Sequence, residues 1–97
     1  MSNFPHLKNP FILAPMAGIT DVAFRLMCKK YGASLVFTEM VSANALSRNN
    51  KATIKLLESS KEEKPIGVQL FGQNTENLVK AAKIIQDNYD FDVIDLN

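Results

Sequence analysis

Four places in the chain carry side chains whose type and placement suit chemistry. The first is Pro15-Met16-Ala17-Gly18, where an apolar run, Phe11-Ile12-Leu13-Ala14, gives way to the helix-opening pair Thr20-Asp21. Pro15 has a fixed φ and no N–H, which stiffens a strand end. Met16 offers a polarizable surface to an aromatic ring. Ala17 and Gly18 are small and let the backbone approach a planar ligand. Taken alone, Met16 reads as filler in a core rather than as a ligand contact. The second is Gln69, whose amide has both a donor and acceptors to offer a ligand; the plain alternative is a hydrogen-bonded core glutamine. The third is Glu39, a carboxylate that either orients a ligand or a neighbouring side chain or forms a structural pair with a Lys or Arg. The fourth is Asn97.

The elements that must position these residues alternate between strand and helix. Strands are expected over Phe11–Ala14, Ser34–Phe37, Pro65–Leu70 and Phe91–Leu96. Pro65 stands at a first strand position, where no ladder bond is lost. A helix over Asp21–Tyr31 has Thr20 as N-cap and Gly32 where a left-handed C-terminal residue is wanted. Its Val22, Ala23, Leu26, Met27 and Cys28 fall near the spacing of one buried face. Residues 42–47 form a short helical turn and Asn49–Leu57 a helix with Ala52, Leu56 and Leu57 for burial. The helix over Thr75–Asn88, capped by Asn74 or Thr75, turns Leu78, Ala81, Ala82, Ile85 and Tyr89 inward. Arg25 reads as a solvated helix residue, Cys28 as a buried-face residue, and His6 has no partner motif.

That order, β-α-β-α-β-α-β, fits parallel strands joined by right-handed helical crossovers. Alternation across each strand then discriminates between parallel architectures. Ile66, Val68 and Leu70 share one face, and Gly67, Gln69 and Phe71 the other. Ile94 and Leu96 share one face, and Val93, Asp95 and Asn97 the other; Leu35, Phe37 and Glu39 share a side. One face is aliphatic and the other turns polar toward its C-terminal end. A doubly wound sheet, covered on both faces, reads apolar on both. A (β/α)8 barrel has helices outside only and a mouth at the C-terminal strand ends where active sites lie. The expectation is α/β, the N-terminal part of a TIM barrel, with Gln69, Glu39 and Asn97 near the mouth. A complete barrel takes ~250 residues, so residues 1–97 are expected to be its first half, cut after strand four.

Charge and composition exclude several classes. The net charge is +1, with 46% hydrophobic and 22% charged residues, so nothing advertises nucleic acid or an anionic membrane. One cysteine excludes an internal disulfide and a cysteine-based metal site, and no metal site is expected. No run approaches the ~18 apolar residues of a membrane span, and Met1–Asn9 holds no secretory leader. A soluble, cytoplasmic protein with no membrane partner is expected.

Taken together, "APMAGITDVAFR", "TEMVSANAL", "VQLFGQN" and "DVIDLN" resemble the N-terminal part of the tRNA-dihydrouridine synthases, in that family's order and spacing. The resemblance implies an FMN-dependent enzyme on a (β/α)8 barrel, followed by a helical tRNA-binding domain. It implies reduction of the C5–C6 double bond of particular uridines in tRNA, with NADPH recharging the flavin. It implies that Pro15, Met16 and Ala17 lie against the flavin ring, that Gln69 contacts polar atoms of that ring, and that Asn97 lies near flavin and target uracil. Glu39 faces the same mouth. The family's proton donor is a cysteine three residues past Asn97, so no catalytic acid is expected in this chain, and Cys28, on a helix, cannot replace it. The chain alone is then expected to be inactive, to hold FMN weakly at most, and to self-associate as a dimer across a face holding Leu35, Phe37, Val93 and Phe11 or Leu13.

Two other readings stay open at this point. One is another flavin-dependent barrel oxidoreductase, similar to dihydroorotate dehydrogenase; the other is a small α/β binding module with no enzymatic role.

Overall fold

The structure is a computed structural model, and it describes residues 3–97. Its elements are β1 (Ile12–Leu13), α1 (Val22–Lys30), β2 (Leu35–Ser42), α2 (Ala43–Ser47), α3 (Lys51–Lys55), a 3₁₀ turn (Lys61–Glu63), β3 (Ile66–Phe71), α4 (Thr75–Asn88) and β4 (Val93–Leu96). The four strands form one parallel sheet in the order β1-β2-β3-β4. Each strand pairs with the next in sequence, with no reversal point of the kind a doubly wound sheet contains. This is the strand order of a TIM barrel, and the chain is part of one.

The helices pack on one face of the sheet. Val36, Val41, Ile66, Val68 and Leu70 meet Ala43 and Leu46 of α2, Leu57 after α3, and Ala81 and Ile85 of α4 in a single core, closed by Phe91. Fully burying each large aliphatic side chain here is worth roughly 1.5–3 kcal/mol. Leu78, Ala82 and Tyr89 pack against its edge, so α4 turns the expected stripe inward. Asn74 caps α4, its Oδ1 accepting from the Asn77 N–H at 3.1 Å.

Several local expectations change. The N-cap of α1 is Asp21, which accepts from the Phe24 N–H at 2.9 Å. Thr20 is fully buried and turns its hydroxyl to Met16 instead. Gly32 does take the left-handed φ of 108° that closes α1. The apolar stripe of α1 is not its buried face: Met27 is 55% exposed and Ala23 is exposed, whereas Arg25 is buried. Arg25 is therefore not solvated. Its guanidinium pairs with the fully buried Glu63 carboxylate, so a charged side chain takes the place a core residue would fill. Val22, Leu26 and Cys28 are half-buried.

Strand β2 runs five residues beyond its expected end at Phe37, because a bulge keeps it paired. Its register steps from Phe37 opposite Gly67 to Met40 opposite Gln69, three residues on β2 against two on β3. An extra residue of this kind bends a strand and re-aims its side chains. Thr38, fully buried, holds the bulge: its Oγ1 donates to the Glu39 carbonyl at 2.7 Å and accepts from the Gln69 N–H at 3.4 Å. Strict alternation would put Glu39 beside Gln69; the bulge puts Met40 there.

The barrel-facing side of the sheet is also less open than the pattern implies. Leu35 is 1% and Phe37 9% exposed. The Phe37 ring lies over Gly67, where a Cβ would come within 2.3 Å of Phe37 Cε1. Val93 is half-buried and Leu13 packs on the helix side. The large apolar residues that do stand open near the strands are Phe11, Ile12, Met40 and Leu96.

Candidate cofactor and substrate site at the C-terminal strand ends

The sequence-chosen residues gather at the C-terminal ends of the strands in two groups. The first is the turn between β1 and α1. The N–H groups of Ile19 and Thr20 both donate to the Met16 carbonyl at 3.0 Å, closing the turn on itself. Gly18 sits at its tip with φ 75°, a left-handed conformation that costs a glycine least. A Cβ placed on Gly18 would meet nothing within 4 Å, so the tip faces open space. Pro15 and Met16 are half-buried, and Ala17 and Gly18 are exposed. Glu39 belongs to this group: its Oε1 accepts from the Gly18 N–H at 2.6 Å. The carboxylate thus fixes the tip of the turn from β2, rather than pairing with a Lys or Arg.

The second group spans β2, β3 and β4. Gln69 is half-buried, and its Nε2 donates to Asp95 Oδ2 at 2.7 Å. Asp95 stands opposite Gln69 in the β3–β4 register, so both side chains lie on the same face. The contact fixes the amide's orientation: its N–H₂ is turned to the carboxylate. Among the described residues no donor is bonded to Gln69 Oε1, which leaves an acceptor for a ligand N–H. Asn97 continues β4, with its N–H on the Leu70 carbonyl at 2.9 Å. Its side-chain amide is exposed and lies 3.6 Å from Met40 Sδ. Met40, at 37% exposure, adds a thioether to the group formed by Gln69 and Asn97.

Beside this group, a cleft of about 490 Å³ is lined by Ser42, Asn44, Phe71, Gln73, Asn74 and Asn77, with no ionisable side chain. A wall of amides and one aromatic ring suits neutral, hydrogen-bonding ligand groups and gives no charge complement to a phosphate. Among the described residues no group of His, Cys, Asp and Glu has the arrangement of a metal site. No helix among them is long and apolar enough to cross a membrane.

Met40, Thr38 and Thr20 were not legible as site residues. Met40 is aimed by the bulge, and nothing in a run of alternating residues marks one. Asp95 was legible in part: alternation puts it on the face of Asn97, and its pairing with Gln69 follows once the strand register is known. Cys28 lies on α1, half-buried and away from both groups.

The model of the dihydrouridine synthase (Dus) family matches residues 12–97. A probable tRNA-dihydrouridine synthase of Aquifex aeolicus is 41% identical over 90 residues, covering 93% of this chain and 28% of the relative. One of Treponema pallidum is 36% identical over 91 residues, 94% of this chain and 27% of the relative. The tRNA-dihydrouridine synthase B of Pasteurella multocida is 41% identical over 91 residues, again 94% and 27%. The chain thus spans little more than a quarter of the length of the curated relatives it matches. With the match running from β1 to Asn97, the chain belongs to the dihydrouridine synthase family.

Proposed function

We propose that this chain forms the first wall of a flavin site in an enzyme that makes dihydrouridine in tRNA, working in the cytoplasm. The observation that carries the reading is the convergence of the Met16–Gly18 turn, Gln69 and Asn97 on one end of the sheet, in a chain of this family. The residues present fit one edge of FMN. Gln69 has a free acceptor for a ring N–H, and the Pro15–Gly18 turn has open space at its tip. Bound there, FMN would supply the hydride that reduces the C5–C6 double bond of a uracil, with NADPH as the source of electrons.

The chain's own residues do the positioning. Asp95 orients the Gln69 amide, and Glu39 holds the Gly18 amide so that the turn keeps its shape against a planar ring. Met16 and Met40 supply polarizable surface. Asn97 offers an exposed amide to the uracil edge, which reaches the mouth only when the uridine leaves its stack. No residue here is assigned the proton for C5; the resemblance gives it to a cysteine three residues past Asn97.

Two measurements test this. Deleting the gene should remove dihydrouridine from at least one tRNA position by mass spectrometry; an unchanged modification profile defeats the assignment. A flavin fluorescence titration should show weaker FMN binding for Gln69→Ala than for the wild type, and equal affinity removes Gln69 from the site.

A further inference from the structure

The turn that carries Met16 and Gly18 is held from behind by a buried chain of hydrogen bonds. Thr20 is fully buried; its Oγ1 accepts from the Met16 N–H at 3.1 Å and donates to the Met16 carbonyl at 3.2 Å. The Thr20 carbonyl accepts from Arg25 Nη1 at 2.7 Å. Arg25, 2% exposed, also donates from Nη2 to the Glu58 carbonyl at 2.9 Å and pairs through Nε with Glu63. The other Glu63 oxygen accepts from the Ser60 N–H at 2.6 Å and from Ser60 Oγ at 3.0 Å. An unbroken path thus runs Ser60–Glu63–Arg25–Thr20–Met16. It links the 3₁₀ turn before β3 to the turn after β1.

This arrangement specifies geometry more than it adds stability. Burying an ion pair costs desolvation that its attraction often only offsets, and an apolar pair of similar volume does as well. What an apolar pair cannot do is fix three acceptors at once. The planar guanidinium does this, with donors in a rigid fork that a lysine lacks. Its acceptors here come from three different segments: Thr20, Glu58 and Glu63. The second clamp on the turn lies in the same place, since Arg25 and Glu39 line one cavity of about 290 Å³ between α1 and α3.

We propose that Arg25 and Glu63 are positioning residues for the candidate site: acting through Thr20, they set where the Met16–Gly18 turn stands at the barrel mouth. The significance for flavin rests on the function proposed above; the positioning itself does not. Glu63 and Ser60 touch nothing at the mouth, yet the turn's placement depends on them.

The test uses Thr20→Val, Arg25→Lys and Glu63→Gln, with Ile85→Ala on α4 as a control that loosens the core without touching the path. Amide hydrogen exchange at Met16 is read without any ligand, FMN affinity by fluorescence titration, and global stability by urea unfolding. Thr20→Val keeps the side-chain shape and removes both bonds to Met16. It should speed Met16 exchange on the order of tenfold, the factor one lost buried hydrogen bond supports, while the global urea midpoint moves less than in Ile85→Ala. Arg25→Lys and Glu63→Gln should speed Met16 exchange in the same direction, and all three should weaken FMN binding, which Ile85→Ala leaves unchanged. Met16 exchange within twofold of wild type in Arg25→Lys and Glu63→Gln overturns the proposal. So does an equal effect from Ile85→Ala at equal loss of stability. If one charge variant fails to fold, the other decides; if both fail, Ser60→Ala, which removes the hydroxyl's bond to Glu63, takes their place under the same criterion. If no FMN binds to wild type, the flavin reading fails, while the exchange data still decide the positioning.

Discussion

Gly67→Ala is a sharp probe of how the floor of the site is built. Gly67 lies on β3 two residues before Gln69, on the same face, and opposite Phe37 in the register. An added Cβ would stand 2.3 Å from Phe37 Cε1, 2.6 Å from Cδ1 and 3.0 Å from Cζ. Real carbon atoms do not approach so closely, so the ring must move. Phe37 is only 9% exposed, and its neighbours leave the ring little room. Overpacking of this kind costs about 1–3 kcal/mol. Against it stands the backbone entropy that alanine removes from the unfolded chain, about 0.4–1 kcal/mol. The steric term wins, and a net loss of about 1–2 kcal/mol is expected, which for a chain of this size lowers the melting temperature by roughly 4–8 °C per kcal/mol. Urea unfolding followed by circular dichroism measures it. The cause is isolated with Phe37→Leu: in a double-mutant cycle the smaller side chain should relieve the clash, with a coupling of at least about 1 kcal/mol between the two sites. A Gly67→Ala chain as stable as wild type, or strict additivity with Phe37→Leu, would refute the account of the floor.

Two further outcomes follow from the same structure. Burial works to lower the Lys64 pKa from 10.5, but the hydrogen bonds and charges of Asp90 and Asp92 outweigh it and the net direction is up. A raised lysine pKa stabilises the fold fully below the unfolded value and ceases to as pH rises through the folded one. The stability gap between wild type and Lys64→Met should therefore be constant from pH 7 to 9 and shrink above about pH 10.5; a gap that holds through pH 12 contradicts the pairing. Among the described residues the outer edges of β1 and β4 have no partner strand, and Phe11 and Leu96 are 71% and 63% exposed, so residues 1–97 studied by themselves should pair with another copy. Sedimentation at micromolar concentration should give a dimer, the commonest closed assembly, and a monomer that melts cooperatively counts against it.

Much of the architecture was legible because it repeats locally. The stripe Leu78, Ala81, Ala82, Ile85 on α4 and the alternation of Ile66, Val68, Leu70 with Gly67, Gln69, Phe71 on β3 are periods of the backbone itself, so they survive into three dimensions. The same alternation led to a singly wound sheet and put Gln69 and Asn97 at the C-terminal ends of their strands. What failed was whatever depends on a partner far along the chain. Arg25 looks like a solvated residue when only its own helix is read. It is buried because Glu63, 38 positions later, returns beside it with an opposite charge. Glu39 keeps the parity of Phe37 in the sequence, but the bulge after Phe37 breaks that parity and gives the place beside Gln69 to Met40. Gly67 reads as a weak strand residue until the Phe37 ring is seen to occupy the space a side chain would need. Periodicity reports which face of an element is apolar; it holds no record of which distant residue fills a given gap. That choice is made by register, close packing and the pairing of buried charges, and those exist only once the strands are side by side.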